Sequence, residues 1–483
     1  MADDPFNAID EELRKDAGCT TELDYIGQTS WLLFLKYLDS MESRRKLAAE
    51  IQGKSYSFIL VEEFRWSSWA APKKDGEIDY NIAMTGDDLL DFVNDDLFPY
   101  LAGFHQRATS PDTIEYKIGE IFGELSNLAQ QGYTLRNVID IIDEFEFGTN
   151  EEKYEMSQLY EDKIGRMGNA GRNGGEYYTP RPLIRAMVTI TDPKIGETIY
   201  DGAVGSAGFL CEAYDYLKSK PNLSTNDLST LQNDTFYGKE KKGLAYVIGI
   251  MNMILHGIDA PNIIHTNTLG QNVMDIQEKD RHDIVLANPP FGGKERKEIQ
   301  QNFPIRTGET AMLFVQHFMK KLRTGGRAAI VLMGSLLSDL EPSFVQIRKE
   351  LLSNFNLHTI LLCPMNTFLG AKGVRTAVLF FEKGSATREI WYYKLNPSRN
   401  FGKKNPLVSK DLAEFLEFQK NKTISNNSWI FNIDEIDSNT YDLLMDRSSG
   451  ASSEVESPTT LYSKLNEFDI EVQEIMKQLR GGI

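Results

Sequence analysis

A chain of 483 residues with 41% hydrophobic and 25% charged positions has the length of about three domains and the make-up of an ordinary globular protein. Its formal net charge of −18 argues against a protein that grips duplex DNA unaided, because neutralising phosphates requires a basic face. Cys19, Cys211 and Cys363 lie far apart with no Cys-x-x-Cys pair, which excludes a disulfide framework and a cysteine zinc site; with no His-Glu-x-x-His either, the sequence points to no metal and to a reducing cytoplasm. No apolar run approaches the roughly 20 residues of a membrane span, and the start Met1-Ala2-Asp3-Asp4-Pro5 reads as neither signal nor transit peptide.

Residues 1–165 read as an α-helical domain. Leu23, Ile26, Trp31, Leu32, Leu35, Leu38 and Leu47 recur at helical spacing within Glu22 to Ile51, and segments near 87–104, 111–130 and 134–146 repeat the pattern. Only Phe58 to Val61 looks strand-like. A glycine-rich loop from Gly165 to Gly175 leads into Glu176-Tyr177-Tyr178-Thr179-Pro180-Arg181-Pro182 and a helix over 182–191. Proline suits a first helical turn. That turn leaves backbone N–H groups and the Thr179 hydroxyl where a carboxylate would be welcome; a capped loop is the plainer reading.

Strands and helices then alternate, as in a doubly wound α/β sheet, over residues 166–395. Strands are expected at 198–200, 235–238, 263–265, 283–287, 327–333 and 359–363. The last, 376–381, follows a connection so short that it should run antiparallel. Residues 396–450 read as an irregular extension. A Ser-rich linker then precedes a helix whose Leu461, Leu465, Phe468, Val472, Ile475 and Leu479 form a heptad seam within 451–483. That seam could dock on another helix or on the chain's own helical domain.

In such sheets ligands lie beyond the carboxyl ends of the strands, where strand order reverses. Four consecutive strand ends carry suitable groups. Asp201 closes the first strand and opens Gly202-x-x-Gly205-x-x-Gly208, whose spacing departs from both the dinucleotide and P-loop patterns. Glu240 after the second strand can accept from both hydroxyls of a ribose, and Asn267 after the third can meet an adenine edge. Asn288-Pro289-Pro290-Phe291 follows the fourth. Two prolines stop the strand and stiffen the turn. The Asn288 side-chain oxygen and the Pro289 carbonyl can accept both N–H bonds of an exocyclic amine, while Phe291 stacks on the ring. An Asn-Pro turn with a core phenylalanine is the bland alternative.

The order Gly-Gly-Glu-Tyr-Tyr-Thr-Pro-Arg, Asp-Gly-Ala-Val-Gly-Ser-Ala-Gly-Phe-Leu, Tyr-Gly-Lys-Glu and Ala-Asn-Pro-Pro-Phe-Gly-Gly resembles the modification subunits of type I restriction–modification systems. The resemblance implies a class I S-adenosylmethionine-dependent methyltransferase fold, mostly parallel with an antiparallel last strand, flanked by the helical N-terminal domain and the C-terminal helical tail. It also implies methylation of adenine at N6. S-adenosyl-L-methionine would then be lined by Glu176, Tyr177, Tyr178, Thr179, Pro180, Arg181, Gly205, Ser206, Ala207, Gly208 and Glu240, with Asp201 near its methionine end and Asn267 near its adenine. Asn288, Pro289, Pro290 and Phe291 would hold a flipped adenine. Where the family usually has Asp-Pro-Ala-Cys-Gly-Ser-Gly-Gly, this chain has Gly202, Val204 and Ala207. Ala207 is expected to add a methyl group where backbone approaches the cofactor.

The same resemblance implies double-stranded DNA as substrate, a DNA-specificity subunit that chooses the sequence, a second copy of this chain, and a restriction subunit that joins for cleavage. The acidic balance agrees with borrowed DNA affinity. A non-catalytic assembly subunit and a protein glutamine-amide methyltransferase are the competing readings; the latter commonly carries tyrosine where Phe291 stands.

Overall fold

The computed structural model describes residues 4–110, 113–169, 178–368 and 373–444. Glu176, Tyr177, most of the glycine-rich segment and the heptad seam lie outside the described residues. Helix α1, Glu22–Ile51, opens with a reciprocal cap in which the Thr21 hydroxyl accepts the Asp24 N–H and the Asp24 carboxylate accepts the Thr21 N–H. Its apolar stripe is buried from Tyr25 to Met41, but Leu47 and Ile51 point to solvent, so the stripe ends earlier than its spacing suggests.

The segment expected as one helix near 87–104 is broken. Gly86–Asp91 passes into a wide π turn, Phe92–Leu97, and then into Phe98–Ala102 and Phe104–Arg107. Pro99 explains the widening, since it has no N–H for the carbonyl four residues before it. Phe58 to Val61 forms no strand. Its backbone donors are taken by side chains instead, Ile59 N–H by the Glu42 carboxylate and Val61 N–H by the Tyr100 hydroxyl. The small ribbon of this region pairs Lys73–Lys74 with Glu77–Ile78.

Helix α2, Asn150–Asn169, and helix α3, Arg181–Thr191, lead into a nine-stranded sheet. In chain order its elements are β1 Ile199–Asp201, helix α4 Gly208–Lys218, β2 Phe236–Glu240, helix α5 Gly243–His256, β3 Asn262–His265 and β4 His282–Ala287. Helix α6 Thr310–Lys321, β5 Leu322–Met333, β6 Phe355–Cys363, β7 Thr376–Lys383, β8 Glu389–Lys394 and β9 Ser428–Asn432 follow. Spatial order is β9-β8-β6-β7-β5-β4-β1-β2-β3. β7 is antiparallel to both β5 and β6, as its short connection requires, and β8 returns parallel to β6. Residues 396–450, expected to be irregular, contain the helix Ala413–Gln419 and strand β9, which caps the sheet edge antiparallel to β8. Strand order reverses between β1 and β4, which are hydrogen-bonded neighbours.

Both faces of the sheet are covered. Ile284 to Ala287 and Ala328 to Val331 are essentially inaccessible to solvent, the burial that an apolar parallel strand needs. One core runs without interruption from Phe6, Trp31 and Tyr160 in the helical part to Leu183, Ile254 and Trp391 against the sheet. Polar ties reinforce this seam: Lys117 donates to the Ile263 carbonyl (2.8 Å, buried) and the Tyr37 hydroxyl donates to Asp259 (3.0 Å). No helix among the described residues is long and apolar enough to cross a membrane.

Candidate active site at the β1 and β4 strand ends

The register pairs Ile199 with Ile284 and Tyr200 with Val285, so Asp201 falls opposite Leu286, two residues short of Asn288. The turns after β1 and β4 therefore face one cleft, bounded by Tyr178, Thr179, Gly205, Ser206, Gly208 and Asn288. This brings together two sequence segments about ninety residues apart, and a third that precedes the sheet.

The β1 turn is tied from every side. Asp201 Oδ1 accepts the Ala203 N–H (2.9 Å), the Val204 N–H reaches the Lys239 carbonyl, and the Thr268 hydroxyl donates to the Gly202 carbonyl (2.6 Å). Asn252 on α5 donates to the Ser206 carbonyl (2.8 Å). Glu240 is engaged in the same web. One carboxylate oxygen accepts the Gly205 N–H and the other accepts the Lys241 and Lys242 N–H groups, all at 2.9 Å. The oxygen that accepts from Gly205 keeps a second lone pair for a ligand hydroxyl, whereas both lone pairs of the other are taken by Lys241 and Lys242. Val204, a departure from the family pattern, seats its side chain over Gly238 of β2; a Cβ at Gly238 would come within 2.4 Å of it. A glycine on the neighbouring strand thus accommodates the larger residue.

Ala207 sits elsewhere than expected. It adopts the left-handed conformation (φ 60°), is fully buried, and directs its Cβ toward Gly249 on α5, away from the cleft lining. The added methyl group is therefore part of the core. Gly208 needs its missing side chain, since a Cβ there would lie 2.7 Å from the Arg181 guanidinium. Arg181 donates to the Gly208 carbonyl (2.6 Å) and pairs with Glu161, clamping the Tyr178-Thr179-Pro180 segment over the glycine turn. Glu161, Cys211 and His256 bring three ligand-type atoms within 4.8 Å of one another. There the Glu161 carboxylate is already shared by the guanidinium and by the Asn252 amide.

Asp201 is completely buried, and its Oδ2 has no partner. Burial pushes its carboxyl up to about 8; the Ala203 N–H opposes that shift and the nearby Glu240 charge adds to it. At the β4 turn Asn288 donates through Nδ2 to the Thr179 hydroxyl (2.9 Å), and its Oδ1 is buried without a partner among the described residues. Pro289 is buried and Pro290 exposed. Phe291 is half-buried, and its ring meets Phe368 edge-on, with centroids 5.0 Å apart and planes at 85°. Phe368 escaped the sequence reading because it stands alone in the β6–β7 connection, outside any periodic pattern. Asn267 stands at the end of β3, where its side chain accepts the Leu269 N–H (3.2 Å) and caps a short 3₁₀ turn. Its oxygen is thus engaged in a cap, and it does not line the cleft.

Two buried side-chain oxygens without partners among the described residues thus lie at adjacent strand ends, with a glycine turn between them, at the switch point of a doubly wound α/β domain. Residues 151–457 match the N-6 DNA methylase family model and residues 5–160 match the HsdM N-terminal domain. The chain belongs to the N-6 DNA methylase family, as an adenine-specific DNA methyltransferase of the type I modification-subunit kind. It is 35% identical to the type I restriction enzyme EcoEI methylase subunit of Escherichia coli, over 98% of this chain and 96% of that one. Among solved structures, a chain of a type I restriction–modification system studied for complex assembly and conformational transition shares 35% identity at a TM-score of 0.81, covering 98% and 96% of the two chains. The modification subunit of a putative type I restriction enzyme from Vibrio vulnificus YJ016 superimposes at 0.78 with 35% identity, over 89% and 92%.

Proposed function

We propose that this chain transfers the methyl group of S-adenosyl-L-methionine to N6 of an adenine turned out of duplex DNA, through the cleft between the β1 and β4 turns. The observation that carries this reading is the pair of buried side-chain oxygens without a partner among the described residues, Asp201 Oδ2 and Asn288 Oδ1, at neighbouring strand ends. The residues present fit the cofactor. Asp201 offers an unpartnered polar atom at the glycine turn, Gly205 supplies the left-handed backbone (φ 53°) that the turn needs, and Glu240 retains acceptor capacity for a ribose hydroxyl. Tyr178, Thr179, Pro180 and Arg181 cover that turn, with Ser206 and Ala207 completing its backbone, and Asn267 lies one strand further along.

When bound, the cofactor supplies an electrophilic methyl group on a sulfonium. The chain's own contribution is to hold the acceptor nitrogen. Adenine N6 is a poor nucleophile because its lone pair is delocalised into the ring. The Asn288 amide oxygen and the Pro289 carbonyl each accept one of its hydrogens, drawing the nitrogen toward tetrahedral geometry and stabilising the positive charge that develops there. Pro290 stiffens the turn, and Phe291 stacks on the base, worth about 1–3 kcal/mol against an unstacking cost of about a few kcal/mol.

With a net charge of −18, the chain takes much of its grip on double-stranded DNA from a DNA-specificity subunit, beside a second copy of itself. A restriction subunit joins that assembly for cleavage. Three buried free cysteines suit the reducing cytoplasm. The test is co-expression with the specificity subunit followed by mapping of methylated bases. N6-methyladenine should appear at one defined sequence and only with both chains present. Methylation of protein glutamine, or of no base at all, would overturn the proposal.

A further inference from the structure

We propose that Thr179 is a positioning residue for methyl transfer, its hydroxyl setting the rotation of the Asn288 amide so that the amide oxygen is left for the incoming amine. This rests on the reading of the cleft given above. An amide's two ends are nearly identical in shape, so neighbours alone decide whether oxygen or nitrogen faces a ligand. Here the neighbour is Thr179, whose hydroxyl takes the Asn288 Nδ2 at 2.9 Å. The Oδ1 atom, by contrast, is buried and without a partner. The side chain is thus satisfied on one end and open on the other, and the open end is an acceptor.

The hydroxyl is itself held in place. Pro180 restrains Thr179 to extended backbone, helix α3 begins directly afterwards at Arg181, and Arg181 is fastened to the Gly208 carbonyl and to Glu161. The β4 turn contributes no comparable tie to Asn288 among the described residues: the two residues that follow it are prolines, which cannot donate. A hydroxyl can also donate, so the same contact would tolerate a flipped amide with its NH2 toward the cleft. That arrangement sets donor against donor when an amine arrives, so base and Thr179 together leave a single productive rotation. Thr179 sits on the segment that covers the glycine turn, so the proposed contact also joins the cofactor side of the cleft to the base side.

The experiment uses the full chain assembled with its DNA-specificity subunit, with S-adenosyl-L-methionine and a duplex carrying the mapped target. Thr179→Val keeps the branched shape and removes the hydroxyl; Thr179→Ser keeps the hydroxyl. Thr179→Val should lower kcat about ten- to a hundredfold, the cost of stranding a buried amide donor, a loss larger than any change in calorimetric cofactor affinity or in KM for DNA. Thr179→Ser should recover most of the rate. An intact kcat in Thr179→Val overturns the inference. So does a loss confined to cofactor affinity, or a Thr179→Ser variant as slow as Thr179→Val. Wild-type complex that methylates no adenine removes the reading of the cleft itself, and this inference with it; an active wild type alongside an unimpaired Thr179→Val removes this inference alone.

Discussion

The two turns that share the cleft are built in opposite ways. The turn after β1 is fixed by ties from β2, from α5 and from the 3₁₀ turn beyond β3, and its departures from the family pattern are absorbed in the core, Val204 over Gly238 and Ala207 against α5. Among the described residues the turn after β4 has one side-chain tie, Asn288 to Thr179, one backbone tie, Thr310 N–H to the Gly293 carbonyl, and one aromatic edge, Phe291 on Phe368, while Pro290, Gly292 and Gly293 are exposed. A methyl donor of constant shape can be met by a rigid, preformed surface. A base delivered from a deforming duplex is better met by a few strong groups on a stiff but sparsely held turn.

Substitutions on the two sides should therefore separate binding from chemistry. The largest effect belongs to Asn288→Ala. It removes an acceptor that works on charge developing during transfer, so kcat should fall about 10²–10³-fold or more while calorimetric cofactor affinity is unchanged. Equal loss of both would merge the two turns into one function. Phe291→Ala comes next. Losing a stacking face worth about 1–3 kcal/mol should slow methylation at subsaturating DNA by about 5- to 150-fold, and Phe291→Tyr should restore most of it. If Phe291→Ala methylates at the wild-type rate, the ring serves only to pack against Phe368.

Asp201 tests the cofactor side through pH. An exposed carboxyl ionises near 3.8, and this one only near 8. The native state therefore holds a proton that the unfolded chain releases. Asp201's contribution to stability is fully present below about pH 3.8 and is lost progressively as pH rises toward 8. Asp201→Asn should flatten that slope and stabilise the cofactor-free protein by about 1–3 kcal/mol at pH 7.5, at a cost in cofactor affinity. Urea midpoints at pH 5 and pH 7.5 measure it; an unchanged slope would mean that Asp201 is not the titrating group. The smallest effect should come from Ala207→Gly. Relief of left-handed strain, roughly 1–2 kcal/mol, is offset by the lost buried methyl and by glycine's chain entropy of about 0.5–1 kcal/mol. A net change under about 1 kcal/mol is expected, with no change in cofactor affinity. Severalfold tighter binding would show that the methyl reaches the cleft after all.

These outcomes bear on what the amino-acid pattern revealed. The strands from β1 to β7 were legible because buried parallel strands leave short apolar runs bounded by glycine and polar turns, whereas the adjacency of β1 and β4 comes from the sheet order. Strand β9 was not, because its Ser428-Trp429-Ile430-Phe431-Asn432 lies amid Asn- and Ser-rich sequence and is itself the sheet's edge strand, paired with β8 alone among the described strands. Phe58 to Val61 misled for the converse reason: a strand-like composition there finds side-chain acceptors and no partner strand. In the site, residue types and order were readable. Which way Ala207 points, what occupies the Asn267 oxygen, and that Thr179 reaches Asn288 are matters of tertiary placement across 109 positions, which no local pattern encodes.

Helix α2 carries one more consequence. The two family segments meet within it, one ending at residue 160 and the other starting at 151, and Tyr160, Ile164 and Met167 of this helix are buried in the core common to both parts. The joint between the two inherited modules is therefore a structural member rather than a tether. Parts drawn from different parents could be exchanged only along with the surfaces that receive this helix.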